Sequence, residues 1–295
     1  MKKNLRLILK GGLGNQLLQY FAGLQLSRVS TRELIVDTSW YSRNIHSNKL
    51  LDKRNFLLNQ YQFSKDLNIE NEMNWKNSPR TERVLKELPS WVGKYIGFYE
   101  DLKLDEVLHL NQREVTVFGH WVTNPIIPNR EILRQQLVKG ILDPSSNFKI
   151  LQKEISEKKI ISIHHRLGDY KNFTEAYGVM NEDYFARAVQ HVSRDLNFEK
   201  GEVWLFSDEP ELSRRLLSQS IEIAKVISRD FKISEAETIS LMSQSAGIVC
   251  SNSTFSWWAG LLSDESITTV AFPRYYMKGL PTIETGLYVK DWNYL

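Results

Sequence analysis

The heptapeptide His164-His165-Arg166-Leu167-Gly168-Asp169-Tyr170 places imidazole, guanidinium and carboxylate groups within a few residues of one another. A planar guanidinium makes charge-assisted, two-point contacts with phosphate oxygens. Arg166 is therefore a candidate to hold a phosphorylated ligand, with His164 beside it. Ser253 and Thr254 follow Asn252 at what reads as the start of a helix. Open backbone N–H groups and the helix dipole favour an anion there. The same hydroxyls can cap the helix, and the two roles are compatible. Asp208, within Ser207-Asp208-Glu209, suits a ribose or sugar hydroxyl, or a capping role ahead of Pro210.

A fourth group is the loop Lys10-Gly11-Gly12-Leu13-Gly14-Asn15-Gln16. A Walker loop needs Lys and Ser or Thr after its last glycine, where Asn15 and Gln16 stand, and a dinucleotide loop needs a small residue where Leu17 stands. Asp37, about 20 residues on, is placed for a ribose hydroxyl, although many strands of this kind end in Asp. The glycines equally permit a sharp strand-to-helix turn, with Asn15 and Gln16 adding amide groups aimed toward an interdomain cleft. No Asp-x-Asp pair follows the strands, no His-Glu-x-x-His occurs, and the six histidines are scattered. The lone Cys250 rules out a disulfide framework and a multi-thiolate metal site. A serine-hydrolase elbow, Gly-x-Ser-x-Gly, is absent too. A transferase acting on a nucleotide-sugar would then rely on Arg166 and helix N-termini, not a divalent cation, to hold the diphosphate.

These groups need a scaffold, and the apolar periodicity supplies one. Leu5–Leu9 reads as a strand, the glycine loop turns the chain, and Leu17, Phe21 and Leu24 continue it as a helix to about Arg28. Glu33–Asp37 is the next strand, which makes a βαβ start and a parallel sheet. Few elements can be placed in 40–110; Val115–Gly119 reads as a strand and Arg130–Lys139 as a helix. Further on, strands are expected at Ile160–Ile163, Val203–Phe206, Ile221–Ile227 and Ile248–Cys250. Helices are expected at Glu182–Leu196, from the capping box Ser234-Glu235-Ala236-Glu237 to near Gly247, and at Phe255–Leu262. Three of these strands end in polar clusters. Ligands of open parallel sheets bind outside the carboxyl ends of strands, so the three clusters should line one crevice. A boundary near 145–155 gives domains 1–150 and 151–295.

The chain has 295 residues, 42% hydrophobic and 25% charged, the balance of a folded globular protein. A net charge of +3 excludes a duplex-binding protein that works by neutralising phosphates. No stretch of about 18 apolar residues occurs and the N-terminus lacks a secretory core. A cytoplasmic protein is expected, with attachment at the inner face of the membrane left open.

Taken together the motifs resemble a known family. Gly11-Gly12-Leu13-Gly14-Asn15-Gln16-Leu17-Leu18-Gln19-Tyr20 is similar to the N-terminal signature of bacterial α-1,2-fucosyltransferases, glycosyltransferase family 11. His164-x-Arg166-x-Gly168-Asp169-Tyr170 resembles the HxRRxD motif shared by α-1,2-, α-1,6- and protein O-fucosyltransferases. Ser207-Asp208-Glu209 resembles a motif that is usually Ser-Asp-Asp. Leu241-Met242-Ser243 followed by Asn252-Ser253-Thr254-Phe255-Ser256-Trp257-Trp258-Ala259 resembles the third and longest. The sequence departs at Leu167, where a second Arg is common, and at Glu209.

The resemblance implies an α/β, GT-B-type fold: two Rossmann-like domains with parallel sheets facing across a cleft, the donor held mainly by the C-terminal one. It implies inverting, metal-independent transfer of L-fucose from GDP-β-L-fucose to the 2-hydroxyl of a galactosyl acceptor. That acceptor would be an oligosaccharide or lipid-linked glycan of O-antigen or another surface polysaccharide. Carried onto this chain, Arg166 holds the pyrophosphate, His164 seats the nucleotide, Ser253 and Thr254 add phosphate contacts, and Asn15 reaches the reacting end. Gly12, Gly14, Gln16, Ser207, Asp208 and Asn252 complete the expected GDP-fucose site. An inverting displacement needs a base for the acceptor hydroxyl, and Asp169 and Glu175 are the carboxylates nearest the Arg motif. Asp169 could instead fix the Arg166 side chain, and Glu175 could be a plain loop residue. Trp40, Tyr41, Trp75 and Trp121 could stack on sugar faces or be buried in the core. The competing functions are an α-1,6 or α-1,3 linkage, or a non-catalytic nucleotide-sugar or carbohydrate binder.

Overall fold

In a computed structural model, the structure describes residues 3–42, 54–72, 84, 90–168, 178 and 180–295. The chain divides into two compact units. The first comprises the described residues up to Asn129 other than Gln60–Gln62; the second comprises Gln60–Gln62 and Arg130–Leu295.

The first unit begins with β1 (Asn4–Ile8), α1 (Leu13–Val29) and β2 (Glu33–Asp37). A short helix α2 (Ser39–Ser42), β3 (Ile69–Glu70), helix α3 (Ser90–Tyr95), β4 (Phe98–Glu100), helix α4 (Leu104–Val107) and β5 (Glu114–Phe118) follow. The strands pair in parallel in the order β3-β2-β1-β5-β4. Leu5, Leu7, Val36, Val115 and Val117 are wholly buried. Strands covered on both faces read as near-continuous apolar runs, which is why β1, β2 and β5 were visible from composition alone. β2 and β5 lie on opposite sides of β1, so the order reverses at β1, the strand that feeds the glycine loop.

The second unit opens with two helices, α5 (Arg130–Leu137) and α6 (Ser146–Glu157). The boundary expected at 150/151 falls inside α6, which belongs to the second unit. Helix α6 hides among charged residues, but Ser145 caps the Phe148 amide, and Phe148, Leu151 and Ile155 form its buried stripe. The unit continues with β6 (Lys159–His165), α7 (Glu182–Asp195), β7 (Gly201–Ser207), α8 (Pro210–Leu217) and β8 (Lys225–Ile227). It ends with α9 (Glu235–Met242), β9 (Gly247–Val249), α10 (Thr254–Leu262), β10 (Thr269–Phe272), a hairpin of β11 (Tyr275–Met277) and β12 (Leu280–Pro281), and β13 (Asn293–Tyr294).

Its sheet is also parallel, in the order β13-β10-β9-β6-β7-β8. The expected strand over Ile221–Ile227 shrinks to β8, because the Ile221 amide still bonds back to the Leu217 carbonyl. The capping box at Ser234 and Glu237 forms as read, with both reciprocal bonds made. The core under this sheet gathers Ile161, Ile163, Phe185, Val192, Leu205 and Val249. Trp257 and Trp258 are buried, and the Trp257 indole N–H donates to the Leu287 carbonyl at 2.7 Å.

Candidate functional site

The second sheet changes direction between β6 and β9: β7 and β8 extend to one side of β6, β9 and β10 to the other. Such a switch point leaves a crevice at the strand ends, because the connections leave on opposite sides. The residues His164, Arg166, Asn252 and Ser253 all lie at the ends of these two central strands, and Asp208 follows the neighbouring β7. The expected convergence of the three polar clusters is therefore present within this unit.

Arg166 is held from β7. Its Nη1 lies 2.7 Å from Asp208 Oδ2, with the two side chains 16% and 19% exposed. The other oxygen of the same carboxylate accepts the Leu167 amide at 3.0 Å. One carboxylate thus fixes both the guanidinium and the backbone next to it. Asp208, expected to take a ligand hydroxyl or to cap the following helix, is here a partner of Arg166, and the helix cap is Glu209. Leu167 is 3% exposed, so a buried apolar side chain occupies the position where a second cation is common.

His164 is buried, with Nδ1 3.0 Å from Ser251 Oγ and its ring stacked on Phe255 at 5.2 Å. Burial pushes its pKa down to about 3; Asp208 opposes this, while Arg166 and His165 add to it. The imidazole is neutral at physiological pH. An unfolded chain returns it to the ordinary histidine value of about 6.5, so the unfolded state binds the extra proton in between. This contribution to stability is therefore complete above pH 6.5 and is lost as pH falls toward 3. His164→Gln is expected to lower the pH midpoint of acid unfolding followed by circular dichroism. An unchanged or raised midpoint would contradict the buried neutral ring.

Several residues expected to bind the donor spend their polar atoms inside the protein. The Ser207 hydroxyl donates to the His165 carbonyl at 2.7 Å, lies 2.7 Å from Ser213 Oγ and accepts the Glu209 amide at 3.0 Å. A hydroxyl offers one donor and two acceptor sites, so this one is saturated. Asn252 is buried, and its amide N–H groups reach the carbonyls of Gly178 (3.3 Å) and Tyr276 (3.1 Å). It ties the loop after β9 to the hairpin. Ser253 caps α10, accepting the Phe255 amide at 3.2 Å, and Thr254 opens that helix. Asp169 and Glu175, the candidate bases, lie outside the described residues, as does Trp75.

In the first unit the glycine loop makes the expected turn after β1. Gly11 has φ +81°, the conformation that favours glycine, and the Asn15 amide Nδ2 lies 3.0 Å from where a Cβ on Gly11 would stand. Gly12 is the N-cap of α1 and supplies no capping side chain, and Gly14 is buried in the first turn. Gln16, expected to face the ligand, is instead fully buried. Its Nε2 donates to the carbonyls of Gly11 (3.0 Å) and Asn55 (2.9 Å), and its Oε1 accepts the Leu57 amide (2.8 Å). Its amide stitches the 55–57 segment to the loop. Gln16→Ala should accordingly destabilise the fold by about 1–3 kcal/mol, the cost of leaving buried partners unpaired. Thermal melts measure this; a loss of donor affinity at unchanged melting temperature would restore a binding role.

Asp37 is likewise committed, paired with Arg6 at 3.2 Å and accepting the Ser39 amide at 3.0 Å. Tyr41 donates to the Gly11 carbonyl at 3.2 Å, Trp40 meets Tyr41 edge-on, and Trp121 is buried. Arg54 is a residue the sequence reading missed: its Nη1 lies 3.8 Å from the Cβ position of Gly12. It lies in an unpatterned stretch, and only its place beside the loop marks it. Among the described residues no group of three or more His, Cys, Asp or Glu side chains could hold a metal ion. None of the described helices is long and apolar enough to cross a membrane.

The model of glycosyl transferase family 11 matches residues 132–295, more than half of the chain. The chain belongs to glycosyltransferase family 11. It is 25% identical over 290 residues to the O-antigen biosynthesis glycosyltransferase WbnK of Escherichia coli, covering 92% of this chain and 94% of that one. An alpha-1,2-colitosyltransferase of Escherichia coli is also 25% identical, over 304 residues and 94% of each chain. Among solved structures, NodZ alpha-1,6-fucosyltransferase co-crystallised with GDP superposes with a TM-score of 0.53 at 15% identity, covering 89% of this chain and 93% of that one. The selenomethionine form of NodZ from Bradyrhizobium gives 0.52 at 12% identity, over 90% and 96% of the two chains. The fold of this family 11 glycosyltransferase is thus GT-B-like, with a parallel α/β sheet in each unit.

Proposed function

We propose that this glycosyltransferase is a galactoside α-1,2-fucosyltransferase. It moves L-fucose from GDP-β-L-fucose, with inversion, to the 2-hydroxyl of a galactosyl acceptor in O-antigen or other surface-polysaccharide synthesis. One observation carries the reading: Arg166, held by Asp208, stands at the switch point where α10 also presents its N-terminus. As the fucose–phosphate bond breaks, negative charge grows on the β-phosphate. A guanidinium already locked by a carboxylate, and N–H groups already aimed by a helix, meet that charge without reorganising. His164 adds a neutral polar edge beside the cation, and the second unit is the donor side. Either Asp169 or Glu175 takes the acceptor proton late in the displacement. With the leaving diphosphate neutralised by Arg166 and the helix, the reaction needs no divalent cation.

The printed name of the WbnK relative supports the O-antigen setting, and the long Asn252–Ala259 block supports the α-1,2 linkage. The equal identity to a colitosyltransferase makes a colitosyl donor the second reading. The test is incubation with GDP-fucose, or the matching colitosyl donor, and a panel of galactose-ended acceptors. GDP release with and without EDTA is recorded, and NMR assigns the product linkage. Expected are turnover with GDP-fucose, equal rates under chelation and an α-1,2 product. Complete dependence on Mg²⁺ or Mn²⁺ would overturn the metal-free mechanism, an α-1,6 or α-1,3 product the linkage, and binding without turnover the enzyme reading.

A further inference from the structure

Ser251 lies two residues beyond β9 and is 1% exposed, with its Oγ 3.0 Å from His164 Nδ1. Its carbonyl accepts the Ser253 amide (2.8 Å) and the Ser256 hydroxyl (3.1 Å), a tight turn that carries the Oγ to the imidazole. Phe255, one turn into the same segment, stacks on the ring with an interplanar angle of 28°. The imidazole is thus held on one face by an aromatic ring and at Nδ1 by a hydroxyl.

The proton count of this pair favours one arrangement. Among the described residues, the Ser251 hydroxyl has a single hydrogen-bond partner, the His164 ring. A neutral imidazole carries one N–H, on either nitrogen. With the proton on Nδ1, the ring would donate to Ser251, and the serine proton would be buried without an acceptor. With the proton on Nε2, the serine donates to Nδ1, its proton has an acceptor as buried polar groups generally do, and the ring N–H is left for an acceptor outside the pair. Burial keeps the ring neutral, and the adjacent Arg166 disfavours a second positive charge.

We propose that Ser251 is a positioning residue that locks His164 in its Nε2–H tautomer, so that the strand end offers a neutral N–H donor to an oxygen of the nucleotide diphosphate. The opposite tautomer would aim a lone pair at those oxygens and repel them. Arg166 supplies charge and His164 direction, and the serine determines that direction. The donor half of this assignment rests on the reading that this strand end binds a GDP-sugar; the tautomer half does not.

The experiment is ¹⁵N-histidine labelling with two-bond ¹H–¹⁵N correlation of the ligand-free protein at pH 7.5, His164 being assigned from the spectrum of His164→Gln. GDP affinity is measured by calorimetry on the same samples. Wild type is expected to show the Nε2–H pattern. Ser251→Ala is expected to show a mixed or Nδ1–H pattern and GDP binding about 3- to 10-fold weaker, the worth of one aimed hydrogen bond. Ser251→Thr, which keeps the hydroxyl, should restore both. An Nδ1–H pattern in wild type overturns the proposal, as does an Nε2–H pattern that persists in Ser251→Ala or a tautomer change that leaves GDP affinity unaltered. Should Ser251→Ala not fold, wild type and Ser251→Thr decide it, since both must show Nε2–H. Failure of wild type to bind GDP strikes the functional reading instead, while the spectra still read the tautomer.

Discussion

Replacing Arg166 with alanine is expected to lower turnover with GDP-fucose by about 10²–10³-fold, the usual cost of removing a preorganised group that meets developing charge. The loss should appear in kcat as well as in kcat/KM, because the charge on the β-phosphate is larger in the transition state than in the bound donor. Alanine also strips the cation from Asp208, so the variant needs a control for folding. Arg166→Lys provides one, keeping a positive charge to pair with Asp208 while giving up the two-point fork. It should melt like wild type and still lose much of the rate. The measurement is initial-rate GDP release alongside circular dichroism. Alanine turnover within threefold of wild type would remove Arg166 from the chemistry.

Asp208→Ala should cost about 10–10² in kcat/KM although its carboxylate is expected to touch no substrate. One of its oxygens sits on the Arg166 guanidinium and the other on the Leu167 amide, so its loss frees the guanidinium and strands a backbone donor. The stranded amide should also cost about 1–3 kcal/mol of stability. Groups that act as a unit are non-additive in double-mutant cycles. The Arg166→Ala/Asp208→Ala enzyme should accordingly be no slower than Arg166→Ala alone, within about threefold. Rate losses that multiply in the double variant would show that Asp208 acts on the substrate independently.

The contrast between these two residues marks what local pattern conveys. The strands β1, β2, β6, β7 and β9 were readable because a strand buried on both faces must be apolar along its length, and the polar residues that break each run show where it emerges. The capping box at Ser234 was readable because both of its bonds lie within four residues. Helix α6 was not, since its three buried residues are outnumbered by charges and its partner surface is remote in sequence. The short strands β10 and β13 escaped for a related reason: two to four residues carry too little pattern, and their pairing is made by neighbours far along the chain.

Among the site residues, the sequence by itself identified which chemical groups gather at the strand ends, because residue type and proximity to an apolar run are local properties. Only the tertiary structure decided what each group does there. The Gln16 amide, the Ser207 hydroxyl and the Asn252 amide N–H groups look like ligand contacts in the sequence, and the fold spends them on segments up to 41, 42 and 74 residues away. Asp208 is the partner of an arginine 42 positions earlier in number, and Arg54 gained its interest only by standing beside Gly12. A polar atom has a fixed capacity for hydrogen bonds, and whether any of it is left for a ligand depends on which distant backbone the fold brings within 3 Å.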